Sequence, residues 1–122
     1  MNSTFLKEDE TLDDLQLKGL YVIQKKSTFR FGIDAVLLAN FADIKRNASV
    51  IDLCSGTGII PFILVGKTPV GKIIGIEIQK DMVDMANRSV QLNDVQGKIE
   101  FIHRDLKDLK YLKTLPKADV VT

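Results

Sequence analysis

One short stretch combines residue types that could bind a ligand. Asp52 ends an apolar run and is followed by Gly56 and Gly58, with Ser55 and Thr57 on either side of the first glycine. Glycines allow a positive φ and let the backbone approach a ligand closely. The apolar helix predicted after them would present unpaired N–H groups and the positive end of its dipole. The pattern therefore predicts a ligand-binding turn between a strand and a helix, although a purely structural turn would have a similar sequence.

Three acids end three successive predicted strands: Asp52, Glu77 and Asp105. In an open parallel sheet, ligands bind at the edge where strands end. Glu77 lies 19 residues after Gly58, where an acid would receive the two hydroxyls of a ribose. Asp105 could accept the exocyclic amine of an adenine, and Asp52 could hold an ammonium or order the glycine loop. A ribose, an adenine and an amino-acid end together indicate S-adenosylmethionine.

Each acid also has an interpretation that needs no ligand. Glu77 could be a solvated acid at a strand end, and Asp105 could be the N-cap of the segment after it. The rival ligand is a nicotinamide dinucleotide, but its fingerprint needs a third glycine where this chain has Pro61. We therefore keep a dinucleotide-dependent oxidoreductase and a non-catalytic cofactor-binding module as alternatives.

The elements that would position these groups alternate between strands and helices. Parallel-type strands are predicted at 48–53, 72–78 and 98–103, helices at 59–65 and 80–93, a short helical segment at 106–115 and a fourth strand at 118–122. This rhythm predicts an α/β fold with right-handed crossovers. We expect a Rossmann-like doubly wound sheet, truncated after about its fourth strand, and hence the N-terminal part of a longer protein.

Residues 1–47 are predicted to form an N-terminal extension, and residues 48–122 the first half of the cofactor-binding domain. Residues 1–18 are interpreted as a solvated or partly ordered arm. Residues 19–24 and 28–31 are predicted to pair as a hairpin. Asp34 is the predicted N-cap of a helix over 35–41. Lys25, Lys26 and Arg30 form a small basic cluster that could contact RNA phosphate or simply solvate the hairpin.

Composition narrows the remaining possibilities. The 122 residues carry 17 Lys and Arg against 16 Asp and Glu, so net charge does not indicate nucleic acid or a membrane surface. One cysteine, Cys54, excludes an internal disulfide and is interpreted as a small buried residue. The only histidine, His103, is expected to be a strand residue, and we predict no metal site. With no long apolar run and no basic leader, we predict a cytoplasmic protein.

The sequence resembles class I S-adenosylmethionine-dependent methyltransferases of the small-domain type. It is most similar to the bacterial tRNA adenine-N(6)-methyltransferases that modify a valine tRNA. The similarity covers residues 19 to 122, and the glycine loop together with Glu77 is its most specific part. The matching stretches are 30–39, 52–58, 75–79 and 85–90, together with Asn93 and Asp105.

The resemblance implies a role for each part of the predicted site. The glycine loop would wrap the methionine end of the cofactor, Glu77 would take the ribose and Asp105 the adenine. Residues 31–34 would fold over the cofactor as a flap, which makes Phe31 and Asp34 candidate contacts. We also expect Ile78 and Leu106, each next to one of these acids, to contact the cofactor.

The resemblance further implies an enzyme that methylates the exocyclic amine of an adenine in RNA, with tRNA the expected partner. Methyltransferases acting on rRNA, protein or small molecules share every residue used here, so those substrates stay open. The family's catalytic motif, Asn/Asp-Pro-Pro-Tyr/Phe, follows the fourth strand. The sequence stops at Thr122, before any such motif, so no catalytic residue is assigned and we expect these 122 residues alone to be inactive.

Overall fold

The computed structural model describes residues 5–27 and 32–122. The described elements form a two-stranded antiparallel sheet and a four-stranded parallel sheet with helices between the strands. In chain order they are β1 (Glu10–Asp14), β2 (Tyr21–Lys25), α1 (Ile33–Phe41), β3 (Ser49–Leu53), α2 (Ile59–Lys67), β4 (Lys72–Glu77), α3 (Lys80–Leu92), β5 (Ile99–His103), α4 (Leu109–Leu112) and β6 (Val120–Val121).

The main sheet confirms the predicted α/β fold. Its strand order is β5-β4-β3-β6, and all three pairings are parallel. Asp52 pairs with Gly75 and Glu77 pairs with His103, so the strand ends that carry the acids lie along one edge. The fourth strand is shorter than predicted, since only Val120 and Val121 pair with β3.

The core lies between the sheet and the helices. Helix α2 is apolar on nearly every side, and Phe62 and Leu64 are fully buried. The Phe62 ring lies 6.0 Å from the ring of Phe101 on β5, centroid to centroid. Helix α3 buries a stripe of Met82, Val83, Ala86 and Val90, because these positions repeat at helical spacing and face the sheet. No helix within residues 5–27 and 32–122 is long and apolar enough to span a membrane.

The N-terminal hairpin differs from the predicted one. Strand β2 pairs antiparallel with the upstream strand β1, from Glu10 opposite Lys25 to Asp14 opposite Tyr21. The acidic segment is thus a strand rather than a solvated arm. The reason is long-range: Arg88 on α3 contacts both carboxylate oxygens of Glu10, at 2.6 and 2.7 Å, and neutralises its buried charge. The predicted partner, residues 28–31, lies outside the described residues.

The predicted N-cap of the first helix was wrong, and so was the alternative interpretation of Asp105 as a cap. Helix α1 begins at Ile33 with Gly32 as its N-cap, so Asp34 lies in the first turn instead. There its negative charge still complements the helix dipole. The short helix α4 is capped by Asp108, whose side chain accepts from the Tyr111 N–H at 3.2 Å. Asp105 therefore does not cap α4, which favours its interpretation as part of the site.

Candidate functional site

A cleft of about 690 Å³ opens where strands β3, β4 and β5 end. This volume is in the range of small-molecule sites in proteins. The ends of β3 and β4, the glycine loop, the first turns of α1, α2 and α3, and the loop after β5 contribute to its wall. The lining residues are Gly32, Asp34, Ala35, Asp52, Cys54, Ser55, Gly56, Thr57, Ile59, Ile60, Ile76, Glu77, Ile78, Gln79, Met82, Arg104, Asp105 and Leu106.

The glycine loop turns sharply between β3 and α2. Cys54, Gly56 and Gly58 have φ values of +55°, +58° and +95°. Gly58 is the N-cap of α2, and its own N–H donates to the Ser55 carbonyl at 2.9 Å. Such left-handed positions favour glycine, because a Cβ would crowd the backbone. Cys54 takes one of them without being glycine and is exposed, so its interpretation as a buried residue was wrong.

Glu77 ties the end of β4 to this loop. One carboxylate oxygen accepts from the Gly56 N–H at 2.8 Å, and the other accepts from the Gln79 N–H at 2.9 Å. An ionised carboxylate has about four lone-pair sites. Two sites therefore remain for donors in the cleft, which is the number that the two hydroxyls of a ribose would need.

Asp52 is the most deeply buried acid of the cleft, with 1% of its surface exposed. Loss of hydration in this position raises the pKa of Asp52 from 3.8 to about 6. The Thr122 hydroxyl donates to the carboxylate at 2.8 Å and opposes part of that rise. A cation in the cleft would stabilise the charged form further.

Two hydroxyls of the loop are almost completely buried and line the cleft. Ser55 is 6% exposed. Within residues 5–27 and 32–122, its Oγ is the one buried side-chain polar atom that has no hydrogen-bond partner. Thr57 is 8% exposed and accepts a 2.9 Å hydrogen bond from the side-chain amide of Gln24 on β2. An unpaired buried hydroxyl is costly, and the Ser55 Oγ lies beside β4, 2.9 Å from the position that a Cβ on Gly75 would take.

The far end of the cleft is formed by the loop after β5. Asp105 is exposed, and one of its oxygens accepts from the Lys107 N–H at 2.9 Å, which fixes the carboxylate at the rim. The guanidinium of Arg104 stacks on the Tyr111 ring, 4.1 Å from its centroid. His103 is a strand residue as expected, and its Nε2 lies 2.8 Å from the Ile78 carbonyl. That contact joins the ends of β4 and β5.

The cleft contains nearly all of the predicted cofactor contacts. Asp34, Asp52, Ser55, Gly56, Thr57, Glu77, Ile78, Asp105 and Leu106 all line it. Their individual contacts with a cofactor stay predictions. Gly58 does not line the cleft, because a Cβ there would point at the core, 2.5 Å from the Phe101 ring. Phe31 lies outside the described residues.

Sequence reasoning missed several residues of the wall. Five of the nine residues missed are apolar residues near the end of β4 or in the first turns of α1, α2 and α3, which pattern analysis assigns to the core. Gln24, which reaches the loop from the hairpin, was missed because a polar residue in a strand is expected to face solvent. The positions that were not assigned to the site are Gly32, Ala35, Cys54, Ile59, Ile60, Ile76, Gln79, Met82 and Arg104.

Comparison with known proteins identifies the family of this chain. A family model described as a methyltransferase domain matches residues 44–122, which include β3 to β6 and the whole glycine loop. The chain belongs to the class I S-adenosylmethionine-dependent methyltransferases. The resemblance noted from the sequence is thereby confirmed, as is the fold class that it implied.

Individual relatives of the methyltransferase domain agree with this membership. The tRNA1(Val) (adenine(37)-N6)-methyltransferase of Proteus mirabilis is 31% identical over 90 residues, covering 73% of this chain and 36% of the relative. A solved tRNA m1G37 methyltransferase of M. jannaschii has a TM-score of 0.71 at 18% identity, covering 95% and 35% of the two chains. M. capricolum TrmK, solved with S-adenosyl-homocysteine, has a TM-score of 0.63 at 16% identity, covering 76% and 40%. The chain thus spans well under half the length of each of these proteins.

Proposed function

We propose that the cleft binds S-adenosylmethionine and that the protein transfers its methyl group to the exocyclic amine of an adenine in tRNA. The observation that carries the cofactor proposal is the convergence of Asp52, Glu77 and Asp105 on one cleft beside the glycine loop. Family membership and the relative solved with the demethylated cofactor support it.

The residues present fit this cofactor. The Ser55 Oγ is buried without a partner, Glu77 keeps two acceptor sites, and Asp52 is a buried acid suited to a cation. The wall between these groups is largely apolar, with Ile59, Ile60 and Met82 available to cover an adenosine. The ribose and the adenine of an adenosine both have apolar faces between polar edges, so an apolar wall with a few polar groups suits them.

Each acid would then hold one part of the cofactor. Glu77 would accept the ribose hydroxyls, Asp105 the adenine amine, and Asp52 the ammonium of the amino-acid end. The bound cofactor would supply an electrophilic methyl group on its sulfonium. The protein's contribution at this stage is to fix the orientation of that group and to exclude water, which lowers the entropic barrier of the transfer.

The tRNA substrate is supported by relatives and not by a contact in this domain. The Proteus mirabilis protein is named for transfer to the N6 of an adenine in tRNA1(Val). The groups that would accept the hydrogen bonds of the target amine are not assigned to any residue up to Thr122. A tRNA substrate would also agree with the cytoplasmic location expected from the sequence.

Calorimetry and a methyl-transfer assay test the two parts separately. We expect the full-length protein to bind S-adenosylhomocysteine and not NAD, and to transfer radiolabelled methyl groups to tRNA but not to tRNA in which N6 of the target adenine is already methylated. NAD binding in place of S-adenosylhomocysteine would contradict the cofactor proposal. Binding of S-adenosylhomocysteine with transfer to rRNA, protein or a small molecule would contradict only the substrate proposal.

A further inference from the structure

The N-terminal hairpin reaches into the cofactor cleft through one side chain. Gln24 on β2 is 1% exposed, and its Nε2 donates to the Thr57 Oγ1 at 2.9 Å. Thr57 belongs to the glycine loop and lines the cleft. Gln24 itself does not line the cleft, so any effect on a ligand passes through Thr57.

This hydrogen bond determines what the Thr57 hydroxyl can do. A hydroxyl has one proton to donate and two lone pairs that accept. Because the Gln24 amide donates to Thr57, one lone pair is used and the proton must point elsewhere. Within residues 5–27 and 32–122, the Thr57 hydroxyl donates its proton to no protein acceptor. Thr57 therefore offers the cleft a donor at a position where solvent is largely excluded.

The surroundings of Thr57 favour an anionic acceptor. Thr57 directly precedes Gly58, the N-cap of the nine-residue helix α2, whose dipole favours negative charge at this end. The Ser55 Oγ, buried and without a partner, lies in the same loop. The acids that line the cleft and would repel an anion are Asp34, Asp52, Glu77 and Asp105. Asp52 is assigned to the ammonium next to the carboxylate, and Glu77 and Asp105 are assigned to the nucleoside.

We propose that Gln24 is a positioning residue that directs the Thr57 hydroxyl to donate to the carboxylate at the amino-acid end of the cofactor. The inference rests on the proposed S-adenosylmethionine site and adds a residue outside the matched methyltransferase domain, which begins at residue 44. It makes the hairpin part of the cofactor site.

The hairpin is held firmly enough for this role. The Ser89 Oγ on α3 accepts from the Ile23 N–H at 2.9 Å, and Asn93 bonds to both the N–H and the carbonyl of Tyr21. These contacts flank Gln24 on the same strand and do not touch the glycine loop. A loss of hairpin attachment can therefore be separated experimentally from a loss of the Gln24–Thr57 hydrogen bond.

The test compares two ligands that differ only at the amino-acid end. S-Adenosylhomocysteine carries the carboxylate, whereas 5′-methylthioadenosine has the same nucleoside without it. We expect Gln24→Leu to raise the dissociation constant of S-adenosylhomocysteine about tenfold and that of methylthioadenosine less than about twofold. Gln24→Glu should have a larger effect on the same ratio, because a carboxylate at this position takes the Thr57 proton and repels the ligand.

Ser89→Ala is the matched control. It removes a hairpin contact, and we expect a lower Tm with an unchanged ratio of the two dissociation constants. Thr57→Val should reproduce the ratio of Gln24→Leu, and it provides the answer if Gln24→Leu does not fold. Equal weakening of both ligands by Gln24→Leu, or an unchanged ratio in Thr57→Val, would overturn the inference. If the wild-type protein bound neither ligand, the proposed cofactor site itself would fail, and this inference with it.

Discussion

Glu77 and Gly56 are joined by a 2.8 Å hydrogen bond from the glycine N–H to the carboxylate, although 21 residues separate them in the chain. The bond links the acid at the end of β4 to the loop at the end of β3. Glu77, which is proposed to bind the ribose, therefore also holds the glycine loop, which is proposed to bind the methionine end. A change at Glu77 should affect both parts of the proposed site.

Because of this coupling, we expect Glu77→Ala to weaken cofactor binding strongly. Loss of hydrogen bonds to a charged acceptor costs about 2 kcal/mol, so we expect the dissociation constant of S-adenosylhomocysteine to rise by about 30-fold in calorimetry. Glu100→Ala is the control, because Glu100 is an exposed acid in the neighbouring strand β5. An unchanged affinity in Glu77→Ala would show that the ribose is bound elsewhere.

Gly58→Ala should destabilise the fold rather than crowd the ligand. The new Cβ would lie 2.5 Å from the Phe101 ring and 3.0 Å from the Phe62 ring, at a φ of +95°. Strain and overpacking of this kind cost about 2–3 kcal/mol, measured as the free energy of unfolding in urea. Gly56→Ala is the matched control, since nothing lies within 4 Å of its added Cβ and only the strain of a +58° φ remains. Equal stability losses in the two variants would contradict the steric explanation.

Asp52→Asn should raise the stability of the fold at pH 7.5 and at the same time weaken cofactor binding. The pKa of Asp52 is raised from 3.8 to about 6, so the fold favours the neutral acid. Its contribution to stability is fully present below about pH 4 and is lost as the pH rises through about 6. Removing the ionisable group should therefore raise the free energy of unfolding at pH 7.5 by up to about 3 kcal/mol, with little change at pH 4.

The same variant should bind S-adenosylmethionine more weakly at pH 7.5, because the ammonium loses its charged partner. Urea unfolding at the two pH values and calorimetry at pH 7.5 measure both effects. A variant less stable than the wild type at pH 7.5 would show that burial does not dominate at Asp52.

Arg88→Met should detach the N-terminal hairpin. Arg88 neutralises Glu10 and lowers the pKa of that carboxyl through a side-chain hydrogen bond. Removing one member of a buried ion pair costs about 3–5 kcal/mol, because the other charge is left uncompensated. We expect a clearly lower Tm, most of which Glu10→Leu should restore when combined with Arg88→Met. No recovery in the double variant would mean that Arg88 acts through its other contacts.

The parts of the fold that sequence reasoning predicted correctly depend on local signals. The apolar run before Asp52, the two glycines and the helical stripe on α3 are each visible within a few residues. The glycine loop and the acids at the strand ends were therefore located without a structure. Their convergence on one cleft follows from the parallel order of the strands.

The missed parts depend on contacts between distant segments. The partner of β2 was chosen wrongly because its pairing with β1 is stabilised by Glu10 and Arg88, 78 residues apart. Gln24 was overlooked because its polar side chain is buried through a hydrogen bond to Thr57, 33 residues further along the chain. Cys54 was interpreted as a buried residue, and its exposure and its left-handed φ of +55° are not encoded by the residue type.

The most direct test of the account is a crystal structure of the protein with S-adenosylhomocysteine. We predict that the ribose hydroxyls lie within hydrogen-bonding distance of Glu77, the adenine amine beside Asp105, and the ammonium beside Asp52. A ligand in this cleft with its nucleoside away from Glu77 and Asp105, or a ligand bound outside the cleft, would contradict the central claim that the three acids at the strand ends form the cofactor site.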